Sequence, residues 1–566
     1  MFVETLVNGE AMNSSIRRPI SGARCPAAGS PYAFAGGKRS PVGAVADGFA
    51  LVPAAAALSL FAARSRQAWF ACILLTLLAA YVPRAAADTV TVASGGGTLR
   101  LSGRIVDYTG EKLELETPDG GLRTIKAAQV VEITADWGAD HSAADRAMSG
   151  GRYAEALALY ARAIESERRP WVRRLATAQI VRCRRALGQT EQAVEGFLVL
   201  VQADPATPYF DCIPLAWLSW PPELNVELAA QRWMGRPEPA ARLLGASHLL
   251  ASPQQAAAIA MLDGLSRDAD PRVAWAARAQ RLRLLPASRR MDELSQRQRE
   301  FADAPRWLQP GLSYVFGRAW AAGGRFDEAA LSFLRCGLTE PCDRALAAQA
   351  MLEAGLALDQ AGAKRESDAV WRETAAKFGD QRRVTAELAS RDPQRAGRFA
   401  VNPPDSVPRP LPLAQPGRAA AVRLESNEGD FLAALRDRGL SRLAGVYCET
   451  ALAQPDLPPA RRAELSIELI RSLTMEALGA PPAEREAIWN RADQAVAQFV
   501  ERHSGEFWAL SVRVQGLIAR SAQAELAFHE AAARNMAPAW RDRAKESLRA
   551  VLRQWEQHAA ELEERQ

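Results

Sequence analysis

Five histidines and seven cysteines are the residues of this 566-residue chain best suited to hold a metal or to act as base or nucleophile. Their spacing argues against both roles. His141, His248, His503, His529 and His558 are far apart, and none belongs to a His-x-x-x-His pair. Cys25 and Cys72 fall in an N-terminal leader. Cys183, Cys212, Cys336, Cys342 and Cys448 are scattered, with no Cys-x-x-Cys, so no zinc site is expected. Cys336 and Cys342 are spaced to bridge an inter-helix turn; the other reading of these thiols is as small apolar residues inside packed helices. No Gly-x-Ser-x-Gly, phosphate-binding loop or dinucleotide fingerprint stands between a strand and a helix. Gly95, Gly96 and Gly97 read as a turn, and Glu340 and Asp343 read as helix-end charges. The expectation is a protein without catalytic, cofactor-binding or metal-ligating residues, and therefore without a cofactor.

Charge narrows the partners. The net charge is +5. Residues 1–87 carry eight Arg/Lys and three Asp/Glu, which leaves 62 of each sign in residues 88–566. A nucleic-acid-binding domain normally carries a basic excess, so none is expected here.

The elements that must position any binding residue are helical. From Ala143 onward apolar residues recur at a 3.6-residue period, and helices of about 12–16 residues alternate with Gly, Asp or Pro turns. One unit, Leu312–Pro341, has Gly317, then the turn residue Gly324 seven positions later. Phe326, Ala329, Phe333, Cys336 and Pro341 follow at +2, +5, +9, +12 and +17. Gly151, Tyr153, Ala156, Tyr160 and Ala163 repeat that spacing, as do Gly188, Ala193, Phe197, Leu200 and Pro205. Gly355, Gly362, Ser367, Trp371 and Thr374 form a fourth unit. Small residues at helix crossings, aromatics between successive repeats and a glycine closing each hairpin explain the choice of residue types.

This pattern resembles the tetratricopeptide repeat, directly over residues 136–205 and 306–379. Turn glycines 151 and 188 are 37 residues apart, and 324 and 362 are 38 apart, against a family period of about 34. The resemblance implies a mainly α superhelical solenoid and a role in binding proteins or peptides. Between the blocks, Tyr209–Pro222 is an aromatic, proline-broken connector, and residues 223–249 and 253–284 read as helix pairs. In such a solenoid the first helix of each hairpin lines a concave groove. The candidate partner-binding residues on that face are Arg146, Arg173, Gln179, Arg182, Tyr314 and Arg318. Arg173, Arg174, Arg182 and Arg185 make one helix face basic, suited to acidic peptides or carboxylate termini; the alternative is a charged face with acidic neighbours of its own.

Two further regions precede the helices. Arg64 and Arg66 lead into the uncharged run Ala68–Val82, followed by Ala85-Ala86-Ala87 and Asp88, the pattern of a secretory signal. The run is short for a membrane span of about 20 residues. Arg84 just before the cleavage site is atypical, so an uncleaved anchor over 68–83 is the alternative. No Met lies between Met12 and Met148, so a start downstream of residue 12 would need another codon. In residues 89–134 the period changes to two. Leu99, Leu101, Leu113, Leu115 and Ile125 alternate, and Tyr108–Glu111 and Pro118–Gly121 carry hairpin turn chemistry. Four or five short antiparallel strands forming a curled sheet or small barrel-like domain are expected, with a weak resemblance to Sm-like barrels. Such a module would cap the first repeat, bind a peptide or glycan, or pair an edge strand with another chain.

The expected order is a leader (1–63), a signal peptide or anchor (64–87), a β domain (88–135), helical repeats (136–380), a proline-rich linker (381–420) and C-terminal helical repeats (421–566). Gly439 marks a further hairpin turn, and the last helix, Ala539–Gln566, reads as a cap or a coiled-coil strand. The functional expectation is a non-enzymatic, exported scaffold that binds other proteins in the cell envelope, touching membrane only through an uncleaved N-terminal segment. The alternative is an accessory subunit of an envelope enzyme or transport complex.

Overall fold

A computed structural model describes residues 88–94, 97–284, 291–338, 343–379, 381–391, 426–504, 507–533 and 538–563. The leader, the signal-like run, Pro341, Cys342 and most of the proline-rich linker lie outside the described residues.

The alternating segment folds into five antiparallel strands: β1 (Asp88–Ser94), β2 (Gly97–Tyr108), β3 (Lys112–Glu116), β4 (Leu122–Lys126) and β5 (Val130–Thr134). Their order is β4-β3-β2-β1-β5. No pairing joins β4 to β5, so the sheet is open rather than a closed barrel. Register breaks at Thr91/Val92 and Ile105/Asp107 bend it, as bulges do. Val90, Val92, Ile105, Leu113, Leu115, Ile125 and Val130 are buried on one face. Leu99, expected among them, is 49% exposed. It lies where β2 pairs with β1 alone, beyond the stretch that meets β3. The Asp88 carboxylate accepts the Ile105 amide at 2.9 Å, tying the first residue of β1 across the sheet.

The helices then run in pairs. α1 (Ala139–Ser149) pairs with α2 (Tyr153–Ser166), and α3 (Pro170–Ala186) with α4 (Thr190–Ala203). The middle pairs are α5 (Leu224–Met234) with α6 (Pro239–Leu249) and α7 (Gln255–Leu265) with α8 (Pro271–Arg281). After α9 (Met291–Glu300) come α10 (Gln309–Ala322) with α11 (Phe326–Leu338), then α12 (Arg344–Gln360) with α13 (Lys364–Phe378), and α14 (Arg382–Arg391).

Turn residues Gly151, Gly188, Gly324, Gly362 and Gly439 all have φ between +72° and +79°, the left-handed cap that lets one helix end and the next fold back. Within a hairpin the aromatic at +9 closes over the small residue at −7 of the same unit. A Cβ on Gly317 would stand 2.7 Å from the Phe333 ring, and one on Gly355 would stand 2.0 Å from Trp371 Nε1. The aromatic thus fills its own hairpin; Phe333 also meets Tyr314 of the same hairpin at 5.7 Å.

The C-terminal part holds α15 (Ser426–Asp437), α16 (Ser441–Leu452), α17 (Pro459–Gly479), α18 (Pro482–Arg502), α19 (Phe507–Ala533) and α20 (Pro538–Glu563). It docks on the second helices of the preceding hairpins. Arg442 of α16 binds Asp327 of α11 through two bonds of 2.8 and 3.0 Å, and Glu366 of α13 at 3.0 Å. Arg438 binds Glu373 of α13 at 2.8 Å. Arg335 of α11 lies over the rings of Phe431 and Tyr447. The last helix packs along α19, with Trp555 Nε1 donating to Ser521 at 3.3 Å.

Candidate peptide-binding groove

The Tyr209–Pro222 connector makes one 3-10 turn, Phe210–Cys212, and has no regular helix or strand after it. Its prolines block helix formation and its aromatics need burial. Tyr209, Phe210, Cys212, Ile213, Leu215 and Trp217 are all buried. They are buried against α3, α6, α8 and α10; α3 and α10 are first helices of their hairpins, as expected of a groove, whereas α6 and α8 are second helices.

The contacts follow the segment in order. Arg272, at the start of α8, donates to the carbonyls of Pro205 (2.7 Å) and Thr207 (3.2 Å), and its guanidinium lies 4.3 Å from the Phe210 ring. Phe210 sits edge-on between Phe197 and Trp307, at 5.4 and 5.6 Å. Arg182 of α3 grips Asp211 with two bonds of 2.8 and 2.9 Å, and Arg185 reaches the Cys212 carbonyl. On α6, His248 Nε2 meets the Pro214 carbonyl at 3.1 Å, which requires a proton on Nε2, and Ser247 Oγ accepts the Ala216 amide at 2.9 Å. Trp217 lies flat on α10 because residue 311 is glycine; a Cβ there would stand 2.0 Å from the indole. Arg283, in the short turn after α8, donates to the Leu218 carbonyl at 2.8 Å. Arg318 of α10 donates to the Ser219 hydroxyl.

The candidate residues divide accordingly. Gln179, Arg182, Tyr314 and Arg318 share this groove. Gln179 is buried and accepts from Arg182 at 3.0 Å. Tyr314 is 3% exposed. Arg146 and Arg173 are exposed on α1 and α3, and make no side-chain hydrogen bond or ion pair among the described residues. The basic face of α3 meets acids of its own chain: Arg174 pairs with Asp107 and also donates to the Tyr108 carbonyl of β2, Arg182 pairs with Asp211, and Arg185 stands 3.6 Å from Asp343. The sheet is anchored beside the groove by Arg174, by the Gly110 amide on Asp204 at 2.9 Å, and by Tyr108 against Tyr209.

Ser247, His248, Gln280, Arg283 and Trp217 belong to the groove and were not anticipated. No repeat spacing marks them. The one sequence signal was the aromatic, proline-broken composition of the connector itself. Burial pushes the His248 imidazole down to about 4. Burial likewise pushes the thiols of Cys183, Cys212 and Cys448 up to about 12. These three are buried free thiols, whereas Cys342, the proposed partner of buried Cys336, lies outside the described residues. Among the described residues no His/Cys/Asp/Glu cluster could hold a metal ion, and no helix is long and apolar enough to cross a membrane.

No protein-family model matches the chain, and no curated protein matches it. Among solved structures it is similar to one titled as the P58(IPK) TPR domain, with 13% identity over 75% of this chain and 99% of that one, at a TM-score of 0.18. At that score the superposition adds nothing to what the hairpins show by themselves. The fold is tetratricopeptide-like: mainly helical, built of paired helices closed by left-handed glycines, and preceded by a small open sheet.

Proposed function

We propose that this protein is a non-enzymatic scaffold that binds other proteins through extended segments, and that it works outside the cytoplasm in organising cell-envelope proteins. The observation that carries the binding reading is the occupied groove. Side chains from α3, α6 and α8 reach main-chain groups of the connector and of the residues just before it, Arg318 of α10 reaches its Ser219 hydroxyl, and its aromatics are buried. This is the chemistry by which a helical solenoid holds a peptide, with main-chain contacts supplying affinity and pockets supplying specificity. The protein's own connector is the segment held.

Export rests on the signal-like run before Asp88. Since Asp88 opens β1, cleavage after Ala87 would leave the sheet whole. The absence of a basic excess in residues 88–566 supports protein rather than nucleic-acid partners. The ion pairs that dock the C-terminal helices onto α11 and α13 favour a second reading, an accessory subunit of an envelope enzyme or transport complex, because they join the two helical parts into one larger surface for stable association.

The test is affinity capture from envelope and cytoplasmic fractions with the wild type and with Gly311→Ala, which unseats Trp217 from the groove. Partners captured more strongly by the variant support groove binding. A single stoichiometric partner captured equally by both supports the accessory-subunit reading. Recovery of the protein in the cytoplasm with residues before Asp88 intact would sink export.

A further inference from the structure

The connector ends beside a cleft of about 140 Å³ lined by Trp217, Ser219, Arg283, Tyr314, Val315 and Arg318. Its charge is unusual. Arg283 is held by neutral acceptors alone: Nη1 donates to the Ser247 carbonyl and to Gln280 Oε1, both at 2.8 Å, and Nη2 to the Leu218 carbonyl at 2.8 Å. Its Nε is buried without a partner. Arg318, the second guanidinium of the cleft, bonds only the Ser219 hydroxyl. Neither arginine has a carboxylate within ion-pair distance among the described residues, although most other arginines of the groove and its margins do. The Tyr314 hydroxyl makes no hydrogen bond there either.

A buried guanidinium beside a second one, without a counter-charge, is costly. Burial first, then the charge of Arg318, pushes the Arg283 group down to about 10. Glu353, the acid that acts on Tyr314, stands on α12 and is bonded by Gln349 at 3.0 Å. No carboxylate within ion-pair distance among the described residues answers the charge of Arg283 or Arg318.

We infer that this cleft is a binding site for a small free monocarboxylate, its oxygens taken by Arg318, Tyr314 and the edge of Arg283 and its short apolar body lying against Trp217 and Val315. The apolar wall of Trp217 and Val315 favours an organic carboxylate over inorganic phosphate. The cleft is large enough for a few waters or a small organic anion, but is closed on one side by the connector, which favours a free acid over a peptide terminus. The inference does not depend on the scaffold reading, because a free acid could bind whether or not a protein partner does.

The experiment is calorimetric titration of the full chain at constant ionic strength with acetate, isobutyrate, inorganic phosphate, and a leucine-terminated peptide in free-acid and amidated forms. Saturable binding of isobutyrate or acetate is expected, weakened at least tenfold in Arg318→Gln and less in Tyr314→Phe, and unchanged in Arg123→Gln, an exposed residue of β4. Because Arg318 is exposed, its variant keeps the fold, which the thermal midpoint verifies. Absence of saturable carboxylate binding, equal binding by Arg318→Gln, or tighter binding of phosphate or of the free-acid peptide would each overturn the assignment.

Discussion

His248 is where one residue's chemistry bears on the whole groove. It is buried between α6 and the connector, and its Nε2–H holds the Pro214 carbonyl. In the folded chain it stays neutral down to about pH 4, whereas an unfolded histidine takes up its proton near 6.5. Between those values the unfolded chain binds the extra proton. The stabilisation is therefore complete above about pH 6.5 and is lost as pH falls toward 4, by about 3 kcal/mol. His141 is shifted in the same direction, chiefly by burial. Urea unfolding at pH 7 and at pH 4.5 should show His248→Gln losing less stability on acidification than the wild type, because its amide keeps the bond to Pro214 and does not titrate. The buried thiols make a second case. Cys183, Cys212 and Cys448, held up near 12, should resist iodoacetamide at pH 8 in the native protein and react fully in denaturant.

At the scale of the helical hairpin, two kinds of glycine do different work. Gly324 turns the chain at φ +75° and has open space around it. Gly324→Ala should cost about 1 kcal/mol through backbone conformation alone. Gly355 has open conformation but no room, since Trp371 Nε1 stands 2.0 Å from where a Cβ would be. Gly355→Ala should cost about 2–3 kcal/mol by forcing Trp371 off its site. Thermal unfolding of the two variants should separate them, with the Trp371 environment, read by near-ultraviolet dichroism, changed only in the second. Both positions were legible in the spacing. The connector's seat was not, because a segment without period carries no statement of which helix faces will hold it.

For the molecule as a whole, the C-terminal helices are joined to the repeats through charge. Arg442 answers two carboxylates, Asp327 and Glu366, and the Glu366 carboxyl is pushed up by burial even so. Arg442→Ala would leave both acids half-buried without their cation. With the Arg442 side chain 29% exposed, the cost should be about 2 kcal/mol rather than the larger value of a fully buried pair. Hydrogen exchange should then run about 30-fold faster over Ser426–Leu452, while amides of α1–α4 keep their wild-type rates. Equal protection in wild type and variant would show that apolar contacts around Phe431 carry the docking alone.

What the sequence determined was local. The change from a period of two to a period of 3.6 near residue 135 separates strands from helices, because the two backbones repeat their side-chain faces differently. The glycine, small-residue and aromatic offsets set four hairpins, because a left-handed turn and a close helix crossing each admit few residue types. Only the tertiary structure decided what the helix faces meet. It left the sheet open, turned the basic face of α3 toward Asp107, Asp211 and Asp343, filled the groove with the Tyr209–Pro222 connector, and brought Arg283 and Arg318 together without a carboxylate. Those pairings join residues from about 30 to 160 positions apart. Burial and charge across such distances depend on how the hairpins stack, which no spacing within a single hairpin expresses.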